Sequence, residues 1–268
     1  MEQAHNGKPP RARLSSVANS IRLLTSFSGE EDELGITTLA TRLRLAKSTV
    51  HRLATTLTAA GFLEQSETGK YRLGVALFEL GALVRRRMDV ANEARPKLRE
   101  LLEKTGETVQ LGIVDHFSVL YVYEMESRHA IRMAAAVGAR APLHCTAVGK
   151  VLLAYQSPEY VKQLLAHGLK AHTANSVTKR ETLLAMLAEV AEREHAVDDE
   201  ESEEGLRAIA APVRNHTGNV IAALGVAAPV QRMTKKDMQT CVPSVIATAA
   251  AVSARLGYVP SRKTVLAE

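Results

Sequence analysis

Along the first third of the chain, apolar residues recur at helical spacing in short blocks and then give way to alternation. Val17, Ile21 and Leu24, with Ser16 ahead of them, predict an amphipathic first helix. The acidic stretch Ser28-Gly-Glu-Glu-Asp-Glu33 ends it as a loop. Ile36-Thr-Thr-Leu-Ala-Thr-Arg-Leu-Arg-Leu45 predicts a short helix, and Ala46–Ala59 a second one after almost no spacer. Phe62-Leu-Glu-Gln-Ser-Glu-Thr-Gly-Lys-Tyr-Arg-Leu73 predicts a basic hairpin that closes at Gly74.

The pattern then turns helical over Val75–Arg87, where Leu77, Leu80, Ala82 and Leu83 precede Arg85-Arg-Arg87. A further helix over Val90–Lys104 is placed to end at Gly106. Thr108–Val114 and Ser118–Glu124 read as strands joined by Asp115-His-Phe117, and Ala130–Val137 as a third strand. Helices follow at Thr146–Ala154, Pro158–Leu165 and Glu181–Glu194, the second with Ser157 as cap and Pro158 at its first position. Strands return at Arg207–Arg214 and Asn219–Ala227 around His216-Thr-Gly218, and a long helix, Thr234–Leu256, closes the pattern. The expectation is an α+β chain: a disordered arm (1–14), a small helical domain with a hairpin (15–74), a linker helix (75–89), an α+β domain with a mostly antiparallel sheet (90–258) and a tail (259–268).

Helix, tight connection, helix and hairpin in that order make a winged helix-turn-helix, whose second helix enters the DNA major groove while the hairpin lies on the backbone. On a helix over Ala46–Ala59, Val50, Leu53, Ala54 and Leu57 form one buried stripe. Ser48, Arg52 and Thr55 face away from it, Thr49, His51 and Thr56 flank it, and Lys47 sits at the N-terminal end, where free N–H groups favour phosphate. Lys70, Tyr71 and Arg72 of the hairpin complete the candidate DNA contacts, with Arg52 placed to grip guanine in bidentate fashion. Charge agrees: residues 1–87 carry 13 basic and 8 acidic side chains, and the rest 21 of each, so the whole excess of +5 lies in the part expected to meet a polyanion. Arg11 and Arg13 in the arm are placed to reach a minor groove.

The 268 residues are 46% apolar, without a run of eighteen apolar residues and without an N-terminal secretory stretch. Two cysteines far apart, Cys145 and Cys241, predict a reducing cytoplasm and no disulfide framework, and no membrane partner is expected. No cofactor or metal motif is found: the nine histidines are scattered, with no paired helical spacing, and there is no Cys-x-x-Cys. Gly149-Lys150 imitates a phosphate loop, but Val151 replaces the required Ser or Thr. The run Asp198-Asp-Glu-Glu-Ser-Glu-Glu204 reads as a solvated turn or helix start. An enzyme built on Cys145 with His144 or His195 as base is disfavoured, because neighbours on a strand point to opposite faces. The remaining alternative is a DNA-binding protein without a ligand.

Two further stretches carry a family. Arg132-Met-Ala-Ala-Ala-Val-Gly-Ala-Arg-Ala-Pro-Leu-His-Cys-Thr-Ala-Val-Gly-Lys-Val-Leu-Leu-Ala154 is one; Ala196-Val-Asp-Asp-Glu-Glu-Ser-Glu-Glu-Gly-Leu-Arg-Ala-Ile-Ala-Ala-Pro-Val213, continued by Gly218-Asn-Val-Ile-Ala-Ala-Leu-Gly-Val226, is the other. With Lys47-Ser-Thr-Val-His-Arg-Leu53 and Tyr71-Arg-Leu-Gly74 they closely resemble the IclR family of bacterial transcriptional regulators, from about residue 15 to 257. The resemblance implies a GAF-like effector domain after the linker helix. It also implies a dimer through the N-terminal region, often a dimer of dimers, on a palindromic promoter site. The expected regulator, more often a repressor of a catabolic operon, answers to a small organic or aromatic acid. The implied effector pocket takes Met133, His144, Cys145, Thr146 and Ala147 on one wall, Asp198 on the loop before the late strands, and Ala208, Gly225 and Ala227 on those strands.

Many members carry Cys at the place of Ala208 and Ser or another small polar residue at the places of Gly225 and Ala227. Losing those donors predicts a roomier pocket for a larger, partly apolar acid, its carboxylate held by backbone N–H groups around Thr146–Gly149. The linker helix over 75–87 is then the covalent route by which a ligand, differing in affinity between two arrangements by more than ~1 kcal/mol, reaches the DNA-reading helices.

Overall fold

The computed structural model describes residues 15–27, 31–86, 89–130 and 136–260, and the chain divides into two compact units, Met1–Arg87 and Met88–Glu268. The arm, Arg11, Arg13, the tail from residue 261, and most of the strand expected over Ala130–Val137, Met133 included, lie outside the described residues.

In the first unit α1 (Ser15–Leu24), α2 (Ile36–Leu43) and α3 (Lys47–Ala59) precede the hairpin β1 (Leu63–Gln65) and β2 (Tyr71–Leu73), and α4 (Val75–Arg86) follows. Arg44 takes a left-handed backbone (φ 54°) and returns its N–H to Ala40 and Thr41, which ends α2 and turns the chain straight into α3. Leu23, Leu39, Leu43, Val50, Ala54 and Leu63 meet in the core, joined by Leu34 and Tyr71, whose backbones bond each other at 2.8 and 2.9 Å. The hydrophobic stripe expected on α1 is displaced. Leu23 is the buried residue, whereas Val17 and Ile21 are 53% and 57% exposed, because the core takes a neighbouring face of the helix.

In the second unit α5 (Asp89–Thr105) leads to β3 (Thr108–Asp115), β4 (Ser118–Met125) and β5 (Arg140–Pro142). Helices α6 (Ala147–Ala154), α7 (Pro158–Ala166) and α8 (Arg180–Arg193) come next, then β6 (Ala196–Asp199), β7 (Leu206–Arg214), β8 (Val220–Pro229) and α9 (Lys235–Arg255). The six strands form one sheet in the order β5-β4-β3-β8-β7-β6, every neighbouring pair antiparallel. Strand alternation splits the core in two. Ala222, Leu224, Val226 and Ala228 of β8 pack toward α5 and α9, whereas Ala223 joins Ala210, Val119 and Tyr121 beneath α6, α7 and α8.

β5 and β6 are missing from the sequence reading. Two of the four residues of β6 are Asp, a poor strand former, so the strand exists through its pairing with β7, and Asp198 lies on it opposite Ala208 rather than on a loop. Helix α6 sits hard on the sheet. A Cβ built on Gly112 would come 2.7 Å from Val148 Cγ1, and one on Gly225 2.7 Å from the Ile209 carbonyl oxygen and 3.3 Å from Val148 Cγ2. Gly225 is therefore a packing requirement, and the extra pocket room expected there from a lost side chain is not available.

Candidate functional site

Helix α3 turns its apolar stripe inward, with Val50 and Ala54 buried and Leu53 and Leu57 partly so. Lys47, Ser48, Thr49, His51, Arg52 and Thr55 are all exposed. Among the described residues neither Lys47 nor Arg52 meets a carboxylate, so both charges remain available to phosphate or base. The hairpin divides differently from the sequence expectation. Lys70 and Arg72 are exposed, Arg72 resting on Glu64 at 2.8 Å, but Tyr71 is only 3% exposed and belongs to the core. A strand alternates with period two, so three consecutive residues cannot share one outward face.

The second unit holds a cavity of about 380 Å³ between α6 and the sheet. Thr146, Ala147, Asp198, Ala208, Gly225 and Ala227 line it; His144 and Cys145 do not, being buried behind the wall. The sequence reading missed several polar wall residues: Gln110, Tyr121, Arg140, His172, Ser202 and Glu203. Gln110 left a signal, since it is a lone amide inside the apolar run of β3 and is buried opposite Gly225. Tyr121 sits on β4 and Arg140 on β5, while His172, Ser202 and Glu203 come from loops, and none of them stands out from its local pattern.

The Thr146 hydroxyl accepts from the Gly149 N–H at 3.0 Å and donates to the Pro142 carbonyl at 2.7 Å, capping α6. One N–H expected to hold a ligand is thus already used, and Ala147 and Val148 bring the first helical turn to the cavity. The Asp198 carboxylate accepts from the Glu201 N–H at 2.8 Å, the Ser202 N–H at 3.3 Å and the Ser202 hydroxyl. Burial still pushes its carboxyl above the usual range, against those bonds.

The acidic run is not a wholly solvated turn. Asp198 and Glu201 are buried, and Glu201 pairs with Lys150, itself buried in α6. The lysine that imitates a phosphate loop is an internal cation. Burial raises the Glu201 carboxyl, Lys150 opposes the rise, and the second carboxylate oxygen has no hydrogen-bond partner. Thr173 and Ser176 hydroxyls donate to the carbonyls of Glu200 and Glu201, both at 2.6 Å, stitching the 171–176 loop to the acidic turn.

His144 and Cys145 lie in the turn before α6, not on a strand, so their side chains are not forced apart. His144 Nε2 meets the Lys170 carbonyl at 2.9 Å, and its ring lies 6.0 Å from that of His172. Burial lowers the His144 pKa and pushes the Cys145 thiol up to about 12, with Asp198 and Glu201 adding to the rise. A thiol held protonated in this way is a poor nucleophile.

An exposed polar helix on a winged fold, and a ligand-sized cavity in a separate α+β unit, are the parts of a DNA-binding transcriptional regulator. Residues 16–67 match the IclR helix-turn-helix domain and residues 82–254 the C-terminal domain of the bacterial transcriptional regulator IclR. The chain belongs to the IclR family. It is 40% identical over 261 residues to the HTH-type transcriptional regulator KdgR of Escherichia coli (strain K12), covering 96% of this chain and 98% of the relative. It is 30% identical to the transcriptional repressor IclR of the same organism, over 93% and 92% of the two chains. Its structure is similar to that of an IclR homolog from Microbacterium hydrocarbonoxydans complexed with 4-hydroxybenzoate, with a TM-score of 0.82 at 27% identity, over 90% and 98% of the chains. Among the described residues no helix is long and apolar enough to cross a membrane.

Proposed function

We propose that this regulator represses a catabolic operon and releases its operator when a hydroxylated organic acid, aromatic or longer-chain, fills the cavity between α6 and the sheet. The cavity carries the reading. Its volume of about 380 Å³ suits a ligand larger than a two- or three-carbon oxoacid, and its wall mixes apolar Ala208, Ile209 and Ala227 with Gln110, His172, Asp198 and Ser202. The first turn of α6 offers N–H groups to a carboxylate, and the polar wall offers partners to hydroxyl groups. The solved relative holding 4-hydroxybenzoate, an acid with one hydroxyl, supports this chemistry.

On the DNA side, Lys47, Ser48, Thr49, His51, Arg52 and Thr55 enter the major groove, and Lys70 and Arg72 touch the backbone. A second copy covers the apolar side chains that the first unit exposes, among them Ile21, Val75, Phe78 and Leu83, and two copies read a palindromic site. The chain runs from α4 of the first unit to α5 of the second, and ligand-dependent spacing of paired α3 helices is the coupling. The test titrates acids into the protein bound to fluorescent DNA from upstream of its own and neighbouring genes, with calorimetry alongside. Release by hydroxybenzoates or sugar acids, with no response to glyoxylate or pyruvate, is expected; tight binding of the two small oxoacids alone would overturn the ligand class.

A further inference from the structure

Behind the cavity wall three side chains that no spacing rule groups are brought together. One ligand atom each from His144, Cys145 and His172 lies within 4.8 Å of the others. His144 and Cys145 are buried in the turn entering α6; His172 arrives from the loop stitched to the acidic turn and lines the cavity. We propose that these residues form a binding site for a zinc-class divalent ion, with an open coordination position toward the cavity.

The donor set selects the ion. Two imidazoles and one thiolate are borderline-soft ligands that suit zinc and its cobalt stand-in and leave calcium and magnesium without the oxygen ligands they need. Zinc holds nitrogen at about 2.0–2.1 Å and sulfur at about 2.3 Å, so the three atoms must close by roughly 1 Å from their present limit. That movement falls on His172, the exposed member, while the buried pair is already set. His144 has the outer partner that a metal-bound imidazole needs: with Nε2–H donating to the Lys170 carbonyl at 2.9 Å, Nδ1 keeps its lone pair. The surroundings favour a cation, since Asp198 stands nearby on the cavity wall and Lys150 is neutralised by Glu201. His172 on the cavity wall gives the ion a way in. Binding exchanges the Cys145 thiol proton for the metal, leaving one S–metal and two N–metal bonds and a released proton. Three protein ligands leave the fourth position for water or for an oxygen of whatever acid occupies the cavity. The site does not depend on which acid that is.

The test is cobalt titration of the full-length protein after chelator treatment. One ion per chain is expected to give a near-ultraviolet sulfur-to-cobalt band with visible tetrahedral bands, all erased by excess zinc. Cys145→Ser removes the near-ultraviolet band, and Cys241→Ser keeps it. His172→Ala changes an exposed residue and so keeps the fold, checked by circular dichroism, while weakening cobalt binding by about tenfold or more. Absence of a sulfur band at any cobalt concentration, or cobalt binding by His172→Ala equal to that of the unaltered chain, would overturn the site.

Discussion

The face of α3 and the wall of the cavity are both surfaces meant to meet something else, yet they are made in opposite ways. Every exposed residue of the α3 face comes from one segment, and the helix presents them by its own period. The cavity wall is assembled from strands, a helix start and two loops, and a buried ion pair between residues 51 positions apart ties α6 to the acidic turn. A substitution on α3 should therefore change binding and leave the fold alone. One beneath the cavity should change the fold and take binding with it.

Lys150→Met tests that contrast most severely. It leaves the Glu201 carboxylate buried without its cation, a loss of roughly 3–5 kcal/mol in urea denaturation. Adding Glu201→Leu should recover most of it, because two apolar residues leave no charge behind. The pH dependence has a definite sign. Burial raises the folded pKa of Glu201 above 4.5, so the stability tied to its neutral form is full below 4.5 and is lost as pH rises through the higher folded value. The deficit of Lys150→Met should accordingly shrink on acidification. A pH-independent deficit would show that its charge is not the cause.

Tyr71→Ala comes next, about 3 kcal/mol of destabilisation as a large side chain leaves the core of the first unit. Its neighbour Lys70→Ala should leave the melting temperature unchanged and weaken DNA binding. Equal effects at 70 and 71 would erase the division between the two faces of the hairpin. Arg52→Ala should cost roughly 1–3 kcal/mol of specific DNA affinity by fluorescence anisotropy, at unchanged stability. Smallest is a thiol-labelling difference. In the native protein at about pH 8, Cys241 should react before Cys145, which is fully buried and whose thiol is pushed up to about 12. Faster reaction at Cys145 would mean that the wall opens readily.

The same contrast explains what could be read from the sequence. Val50, Ala54 and the exposed side chains between them follow a local period, and the order of helices in both units followed from similar patterns, though β5 and β6 did not. Tyr71 was misplaced because three adjacent basic and aromatic residues were taken together, against the strand period. At the cavity, motif similarity pointed to Thr146, Ala147, Asp198, Ala208, Gly225 and Ala227, which line it, to His144 and Cys145, which do not, and to Met133, outside the described residues. It gave no hint of His172, which comes from a loop without periodicity, or of Arg140, which opens the three-residue strand β5. Nor did it pair Lys150 with Glu201: burial of a lysine is decided by a partner that no local pattern names. The convergence of His144, Cys145 and His172 escaped for the same reason, since metal spacing rules assume ligands on one helix or one knuckle.

The two glycines under Val148 set where the cavity can yield. With Val148 methyls seated over Gly112 and Gly225, neither of which has room for a Cβ, α6 and the sheet pack as one close jaw. Across from it stand His172 of the 171–176 loop and Ser202 and Glu203 of the acidic turn, two segments joined by the Thr173 and Ser176 hydroxyls and the Asn175 amide donating to backbone carbonyls. If the proposed acid needs more room than the cavity now offers, the expected place for it to give is at those bonds, not in the sheet.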